Sequence, residues 1–185
     1  MDLFRIYHTV RLHLILSPMK RASYLGNHHV FRHVGNNCMV MFRKVPLYSE
    51  LISLGDNVWI ASNVSFVTHD VVHHMLNYRV GKREYSENIG CIDIRDNVFI
   101  GANSTILPNV LIDSNTIIGA NSLVNKDIPG GVYAGIPAKY ICSFDEFMEK
   151  RKKSINVPIK RDKFGRLSAE TIETCFKIIN DNNND

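Results

Sequence analysis

The sequence predicts an all-β fold: a parallel β-helix of about four coils with a protruding loop, an N-terminal helix and C-terminal helices. Two observations predict it. Apolar residues recur at every sixth position through two stretches of the chain, and a small or β-branched residue follows all but one of them four positions later. A period of six fits neither an α-helix nor a simple strand, but it suits a short extended segment that ends in a turn and is then repeated.

The repeat fixes the register of the coils. Its apolar positions are Leu54, Ile60, Phe66, Ile94, Ile100, Ile106, Ile112, Ile118 and Val124. We expect these side chains to point inward, with Gly or Asn supplying the backbone freedom that each corner needs. Three six-residue faces make one coil, so residues 54–71, 94–111 and 112–129 are each predicted as a coil. An earlier coil is predicted to begin at Val34, with a two-residue insertion before Leu54.

This register divides the chain into three segments. We expect an N-terminal helical or extended segment (1–33), a catalytic β-helix domain (34–141) with a loop at 72–93, and a C-terminal helical extension (142–185) with a disordered tail, "NDNNND". Ser143 and Glu146 form a capping-box pattern, and a second helix is predicted from Ser168. The first segment has an apolar stripe at helical spacing, which predicts an amphipathic helix packed on the domain or on a neighbouring subunit: Leu3, Ile6, Tyr7, Val10 and Leu14.

Composition narrows the classes of protein. The basic excess at residues 149–166 has no interleaved aromatic residues, which argues against a nucleic-acid platform. Charges interrupt the first apolar run, so we expect neither a signal peptide nor a membrane span. Binding to a membrane surface is the alternative role of the N-terminal helix, because four basic residues lie there: Arg5, Arg11, Lys20 and Arg21. The four cysteines are scattered without a CxxC pair, which indicates a reduced, cytoplasmic protein.

The segment "IGANSTILPNVLIDSNTIIGANSLVNKDIPGGVYAGIPAKYI" (100–141) resembles the hexapeptide-repeat acyltransferases. The most similar branch holds galactoside, maltose and xenobiotic acetyltransferases together with surface-polysaccharide O-acetyltransferases. The resemblance covers roughly residues 54–141 and implies a left-handed β-helix, a homotrimer and acetyl-CoA as the donor. It also implies a saccharide acceptor and a role in polysaccharide biosynthesis. The identity of that acceptor (a sugar, a polysaccharide or an antibiotic) and the choice between O- and N-acetylation do not follow from it.

Acetyl transfer to a hydroxyl needs a base that removes the hydroxyl proton, and imidazole titrates near neutral pH. By the resemblance, the catalytic histidine follows the coil "GDNVWIASNVSF", and the matching position is His69. His69 stands where the repeat ends and the loop begins, so we expect it to face a cleft. Asp70 is a candidate to orient the imidazole, but neighbouring residues on an extended segment point to opposite faces, and backbone oxygens are the alternative.

The resemblance also implies where the two substrates bind. By their position in the motif, small residues line the groove for coenzyme A and polar residues lie toward its nucleotide end: Gly101, Ala102, Gly119 and Ala120, then Asn125, Lys126 and Lys139. The loop offers side chains that can hydrogen-bond to a sugar or stack on it: His73, His74, Asn77, Tyr78, Arg79 and Tyr85. The geometry of the coil corners explains these glycines and alanines as well as contact with coenzyme A does. The ordinary polarity of a surface loop explains the loop residues equally well.

Two other functions stay open. The spacing of His33, His69 and His74 resembles the zinc ligands of γ-class carbonic anhydrases, which are trimeric β-helices with a metal between subunits. The inserted residues put His33 and His69 out of the strict register, and we therefore expect no metal site. The third possibility is a β-helix without catalysis that serves as a scaffold.

Overall fold

A computed structural model of the chain describes residues 2–154 and 157–182. Its helices are α1 (Leu3–Leu14), α2 (Pro18–Asn27), α3 (Val72–Val80), α4 (Phe144–Lys153) and α5 (Ala169–Asn182). Its strands are β1 (His33–Val34), β2 (Met39–Val40), β3 (Ile52–Leu54), β4 (Val58–Ile60), β5 (Ser65–Phe66), β6 (His69–Asp70), β7 (Asn88–Ile89), β8 (Ile92–Ile94), β9 (Val98–Ile100), β10 (Thr105–Ile106), β11 (Val110–Ile112), β12 (Thr116–Ile118), β13 (Leu123–Val124), β14 (Gly131–Ala134) and β15 (Lys139–Cys142).

All the described strands except β6 and β7, which pair with each other, stack into three sheets that are parallel except at one edge. Their orders are β1-β3-β8-β11, β15-β14-β12-β9-β4-β2 and β13-β10-β5. Ile94 pairs with Ile112 and Ile106 pairs with Val124, so successive strands of a sheet lie eighteen residues apart here. Val34 pairs with Leu54, a step of twenty residues that agrees with the predicted two-residue insertion. The repeating unit is therefore a coil that contributes one short strand to each sheet.

The apolar positions of the repeat form the core. Ile60, Ile100 and Ile118 are fully buried and pair with one another across three neighbouring strands. Burying one such side chain stabilises the fold by about 1.5–3 kcal/mol. The predicted inward direction of the repeat is confirmed at these positions.

Asparagine, not glycine, supplies the backbone freedom of the corners. Every described coil has corner asparagines with φ near +60°, among them Asn57, Asn97 and Asn115. Their side chains form a ladder in which the Asn57 Nδ2 donates to the Asn97 Oδ1 at 2.9 Å, and the Asn97 Nδ2 donates to the Asn115 Oδ1 at 3.2 Å. Asn and Gly are the residues that tolerate this conformation best. The glycines of the repeat have a different role, described with the site below.

The predicted all-β class is too narrow, because the chain is a mixture of α and β with several sheets. The predicted loop at 72–93 contains α3 and strand β7, and β7 pairs antiparallel with β6. Ser143 caps α4 as expected, since its Oγ accepts the Glu146 N–H at 3.1 Å. Helix α5 extends to Asn182, so the predicted disordered tail begins within a helix, and residues 183–185 lie outside the described part.

Helix α1 turns a different face to the domain from the one predicted. His8 and Leu12 are its buried residues, and the His8 Nδ1 lies 2.7 Å from the Tyr24 hydroxyl of α2. The predicted stripe is exposed instead, from 39% at Ile6 to 74% at Leu3. The prediction that this stripe packs on the domain is therefore wrong. Its packing on another subunit stays a prediction.

By its internal contacts the chain divides into two compact units, Met1–Phe147 and Met148–Asp185. The first unit contains the N-terminal helices together with the coils. Among the described residues, no helix is both long enough and apolar enough to cross a membrane.

Candidate active site

His69 lies just beyond the last regular pairing of the third sheet. The Val67 N–H donates to the Ile106 carbonyl at 2.9 Å and so continues the ladder of β5 past its end. The Thr68 hydroxyl is buried and donates to the Leu47 carbonyl at 2.6 Å, while the Thr68 carbonyl accepts the Gly90 N–H at 2.8 Å. His69 then pairs with Ile89 in the β6–β7 ribbon. The backbone on both sides of the imidazole is thus held by hydrogen bonds to separate segments.

The His69 side chain is half-buried and lines a cleft of about 400 Å³. Its Nδ1 is buried and has no hydrogen-bond partner among the described residues. Leaving a buried polar atom unpaired costs about 1–3 kcal/mol, and such atoms are rare in folded proteins outside functional sites. An imidazole held in this state beside an open cleft is suited to proton transfer.

Tyr48 is a site residue that the sequence analysis missed. Its ring contacts the His69 ring edge-on, with centroids 5.2 Å apart and planes at 75°. Its backbone is left-handed, with φ of +50°, which is uncommon for a bulky residue and occurs in structures where the surroundings hold it. The hydroxyl donates to the Glu87 Oε1 at 3.0 Å, and this hydrogen bond raises the pKa of Tyr48. Tyr48 lies outside the six-residue repeat, so no periodic signal identifies it.

Asp70 does not orient His69 in this structure. Its Oδ1 accepts the Val72 N–H at the start of α3, and its Oδ2 accepts the Asn88 Nδ2 at 2.9 Å. These hydrogen bonds, the one from Asn88 first, lower the pKa of the Asp70 carboxyl. Asp70 therefore joins α3 to the β6–β7 ribbon.

The predicted acceptor residues lie on α3 or shortly after it. The His73 and His74 rings contact each other with centroids 4.0 Å apart, and the His73 Nδ1 is buried without a partner in the described part of the chain. The Asn77 side chain accepts the Glu84 and Tyr85 N–H groups at 2.8 Å each, so its Oδ1 is used in closing the segment after α3. Tyr78 is 91% exposed, and Arg79 and Tyr85 are also exposed.

The predicted coenzyme residues with small side chains stack at one corner of successive coils. A Cβ on Gly101 would collide with the backbone N of Ala120, and a Cβ on Gly119 would lie 2.7 Å from the Cβ of Ala134. Neither glycine has a positive φ. These glycines are thus required for close stacking of the coils, and with Ala102 they form a corner wall with little side-chain bulk.

The polar coenzyme candidates are exposed. Asn125 and Lys126 follow β13, and Lys139 begins β15, which is the edge strand of the second sheet. Lys139 pairs with Ala134, which in turn stacks on Gly119, so the structure brings Lys139 to the end of the glycine corner.

The three histidines of the metal alternative are on separate parts of the fold. His33 is in the first sheet, His69 is in the ribbon beyond the third sheet, and His74 is on α3. Within residues 2–154 and 157–182, no cluster of three or more His, Cys, Asp or Glu side chains is arranged to hold a metal ion.

Comparison with known proteins places the fold and the motif in a family. The protein CapG of Staphylococcus aureus is 39% identical over 123 residues, which are 63% of this chain and 69% of CapG. This chain belongs to the hexapeptide-repeat transferases. Residues 92–126 match the family described as bacterial transferase hexapeptide (six repeats), and the predicted family resemblance is confirmed.

The names of two similar proteins include an acetyltransferase activity. The galactoside O-acetyltransferase of Escherichia coli strain K12 is 39% identical over 111 residues, which cover 59% of this chain and 52% of that enzyme. A solved structure of a galactoside acetyltransferase in complex with coenzyme A shares 25% identity, with a TM-score of 0.53 over 80% of this chain and 88% of its own. The chain spans about half the length of the first curated relatives it matches.

Proposed function

We propose that this hexapeptide-repeat transferase is an acetyl-CoA-dependent O-acetyltransferase that acetylates a hydroxyl of a saccharide. The observation that carries the proposal is the half-buried His69 in its cleft, at the position where the family motif expects a catalytic histidine. The named activity of the galactoside O-acetyltransferase relative supports the reaction class. The coenzyme A complex of a similar structure supports the donor.

His69 acts as the general base. An imidazole nitrogen accepts the proton of the acceptor hydroxyl while that oxygen attacks the thioester carbonyl. The tetrahedral intermediate then collapses, the bond from carbon to sulfur breaks, and the proton on the imidazole passes to the leaving thiolate. Tyr48 and the backbone pairing of His69 with Ile89 hold the ring in place, so little reorganisation is needed when the substrates bind.

The glycine corner is our proposed wall of the coenzyme groove. Gly101, Ala102, Gly119 and Ala120 leave the backbone open to a thin pantetheine arm, and Lys139 at the end of this corner offers a cation for phosphate. Asn125 and Lys126 are proposed toward the same nucleotide end.

Further details of the assembly belong to the same proposal. We propose left-handed coils, about four in number, and a homotrimer, in keeping with the family. We also propose that residues 34–141 are the catalytic domain, that His73, His74, Asn77, Tyr78, Arg79 and Tyr85 contribute to the acceptor side, and that the protein works in the cytoplasm in polysaccharide biosynthesis without a nucleic-acid partner.

The test is an acceptor screen with purified protein and acetyl-CoA. Release of the free thiol and the mass of the acetylated product are measured against neutral, acidic and amino sugars. We expect free coenzyme A thiol and acetylated product in equal amounts, because each transfer releases one thiol. The product should be about 42 Da heavier than the acceptor, the mass gained when an acetyl group replaces a hydrogen. Bound zinc without acetyl-CoA binding would favour the carbonic-anhydrase alternative, and absence of both ligands would favour a scaffold.

A further inference from the structure

The cleft beside His69 is lined by cations. Arg5 of α1 and the consecutive pair Arg43 and Lys44 border it together with Asn63 and His69, and no Asp or Glu is among the described residues that line it. This composition is unlike a site for a neutral sugar, in which a carboxylate commonly accepts hydrogen bonds from hydroxyl groups. It is suited to an anion.

Within residues 2–154 and 157–182, these cations have no carboxylate partners in ion pairs. None of Arg5, Arg43 and Lys44 takes part in an ion pair in the described part of the chain. The Arg43 Nη1 donates to the His13 carbonyl at 2.7 Å, which fixes the guanidinium but leaves its charge unbalanced. Asp2 is the single carboxylate residue of the first 48 positions, which contain seven Lys and Arg residues.

A buried arginine behind the cleft adds to the positive potential. Arg21 is 1% exposed, and its guanidinium donates to carbonyl groups, among them those of Val40 and Ile15, and to the Met41 Sδ. Arg43 is near enough to act on it, since burial first and then the charge of Arg43 lower the pKa of Arg21. Charges inside a low-dielectric wall reach further than charges in water, so the group attracts an anion into the cleft.

Three of the neighbouring carboxylates are engaged elsewhere. Asp70 binds the Val72 N–H and Asn88, and Glu87 accepts the Tyr48 hydroxyl. Asp2 accepts the Arg5 N–H at the start of α1. None of these three lines the cleft.

The cationic cleft is also far from the proposed nucleotide end of the coenzyme. Residues 42–47 of the cleft follow β2, and Lys139 begins β15. These two strands are the opposite edges of the second sheet, in the order β15-β14-β12-β9-β4-β2. Five strand spacings separate them, about 24 Å. The phosphates of coenzyme A are thus assigned to one end of the coils and the cationic cleft to the other.

We propose that the acceptor is a negatively charged saccharide and that Arg5, Arg43 and Lys44 bind its carboxylate or phosphate group while His69 takes the proton of a nearby hydroxyl. The inference rests on the proposed function for the reaction and names the substrate class for it. The reaction itself is unchanged: the hydroxyl oxygen gains the acetyl group, and its proton passes through His69 to the thiolate.

The experiment compares matched acceptors that differ in charge. With acetyl-CoA, galacturonic acid and galactose 1-phosphate are each compared with galactose, and binding of the three to the free protein is measured by titration calorimetry. We expect at least about a tenfold higher kcat/KM and tighter binding for an acidic sugar, because a hydrogen bond to a charged group is the stronger kind. The preference for the acidic sugar should fall as salt is added. The carboxylate and phosphate arms identify which anion fits better.

Two variants test the residues. Lys44→Gln and Arg5→Gln should each raise KM and Kd for the acidic sugar about tenfold while leaving the Kd of acetyl-CoA unchanged. Lys20→Gln removes an exposed charge on α2 that does not line the cleft, and it should match the wild type. Equal binding of galactose and both acidic sugars would overturn the inference. So would a Lys44→Gln variant that weakens acetyl-CoA binding and not acceptor binding, since the cations would then serve the coenzyme.

The binding arm separates this inference from the proposed function. Tight, charge-dependent binding of the acidic sugar without acetyl transfer would contradict the O-acetyltransferase and leave the anion site standing. Transfer to galactose with no preference for acidic sugars would support the O-acetyltransferase and remove the anion site.

Discussion

At the scale of single residues, Tyr48 is predicted to position His69. Tyr48→Ala removes the ring that contacts the imidazole, so we expect kcat to fall at least about tenfold, because small displacements of a catalytic group are costly. Tyr48→Phe keeps the ring and removes only the hydrogen bond to Glu87, and it should restore kcat to within about threefold of the wild type.

Steady-state kinetics with both substrates measure this effect, and acetyl-CoA affinity is the control. A positioning role requires that Tyr48→Ala lower kcat with an unchanged Kd for acetyl-CoA. Equal loss in the Phe and Ala variants would instead assign the effect to the hydroxyl.

Asp70 is predicted to make stability depend on pH. Hydrogen bonds from Asn88 and Val72 lower its pKa in the folded state, so its contribution is present above its ordinary value of 3.8 and is lost as the pH falls through the folded pKa. Urea unfolding between pH 6 and pH 3 should therefore show a smaller loss of stability for Asp70→Asn than for the wild type. Parallel curves for the two proteins would refute this role.

The site was predictable from sequence only where it touches the repeat. His69 is identified by the family resemblance, and it stands where the regular pattern of the repeat breaks. Tyr48 and Arg43 come to the site through the return of the chain between β2 and β3, where no period operates. The structural role of the Asn77 side-chain amide could not be predicted either, because its hydrogen bonds from Glu84 and Tyr85 depend on how the chain turns back after α3.

At the scale of elements, the corner asparagines are predicted to have two separable roles. Asn97 combines a φ of +58° with two ladder hydrogen bonds. Asn97→Gly loses both ladder hydrogen bonds, about 1 kcal/mol for each of them. Asn97→Ala keeps the Cβ in the left-handed region without the polar side chain that makes this conformation tolerable, and it should lose about 1–2 kcal/mol more than Asn97→Gly.

Urea unfolding of the two variants and the wild type provides the comparison. The glycine variant is the matched control, since it removes the same side chain. Equal stability of Asn97→Gly and Asn97→Ala would show that the corner relaxes out of the left-handed conformation.

Sequence periodicity predicted the coils well and the added elements less well. Each coil repeats the same local chemistry, so the register of Ile94 on Ile112 follows from spacing alone. The segment 72–93 has no such repeat, and its helix and ribbon depend on long-range pairing of His69 with Ile89. In α1 the spacing predicted the helix but not its buried face, because His8 is anchored by Tyr24 of another helix.

At the scale of the whole molecule, the net charge of +4 hides an uneven distribution. The first 48 residues carry seven of the 22 Lys and Arg residues and one of the 18 Asp and Glu residues, and the cationic cleft follows from that imbalance. Composition alone could not predict the cleft, because the sequence shows the charges but not that Arg5 and Lys44 line the same cleft.

The predicted homotrimer is a whole-molecule property with a direct measurement. Light scattering on the eluting protein should give the mass of three chains of 21.1 kDa each. The exposed stripe of α1, which includes Leu3 and Val10, is apolar surface that an assembly would bury. A monomer mass at micromolar concentration would contradict the assembly.

The central claim is that His69 is the general base of acetyl transfer. The most direct test is kcat for His69→Ala at saturating acetyl-CoA and acceptor, with His33→Ala as the control because His33 belongs only to the metal alternative. We predict a loss of at least about a hundredfold for His69→Ala, unchanged acetyl-CoA affinity, and wild-type activity for His33→Ala. An His69→Ala enzyme that keeps kcat within about threefold of the wild type would contradict the account.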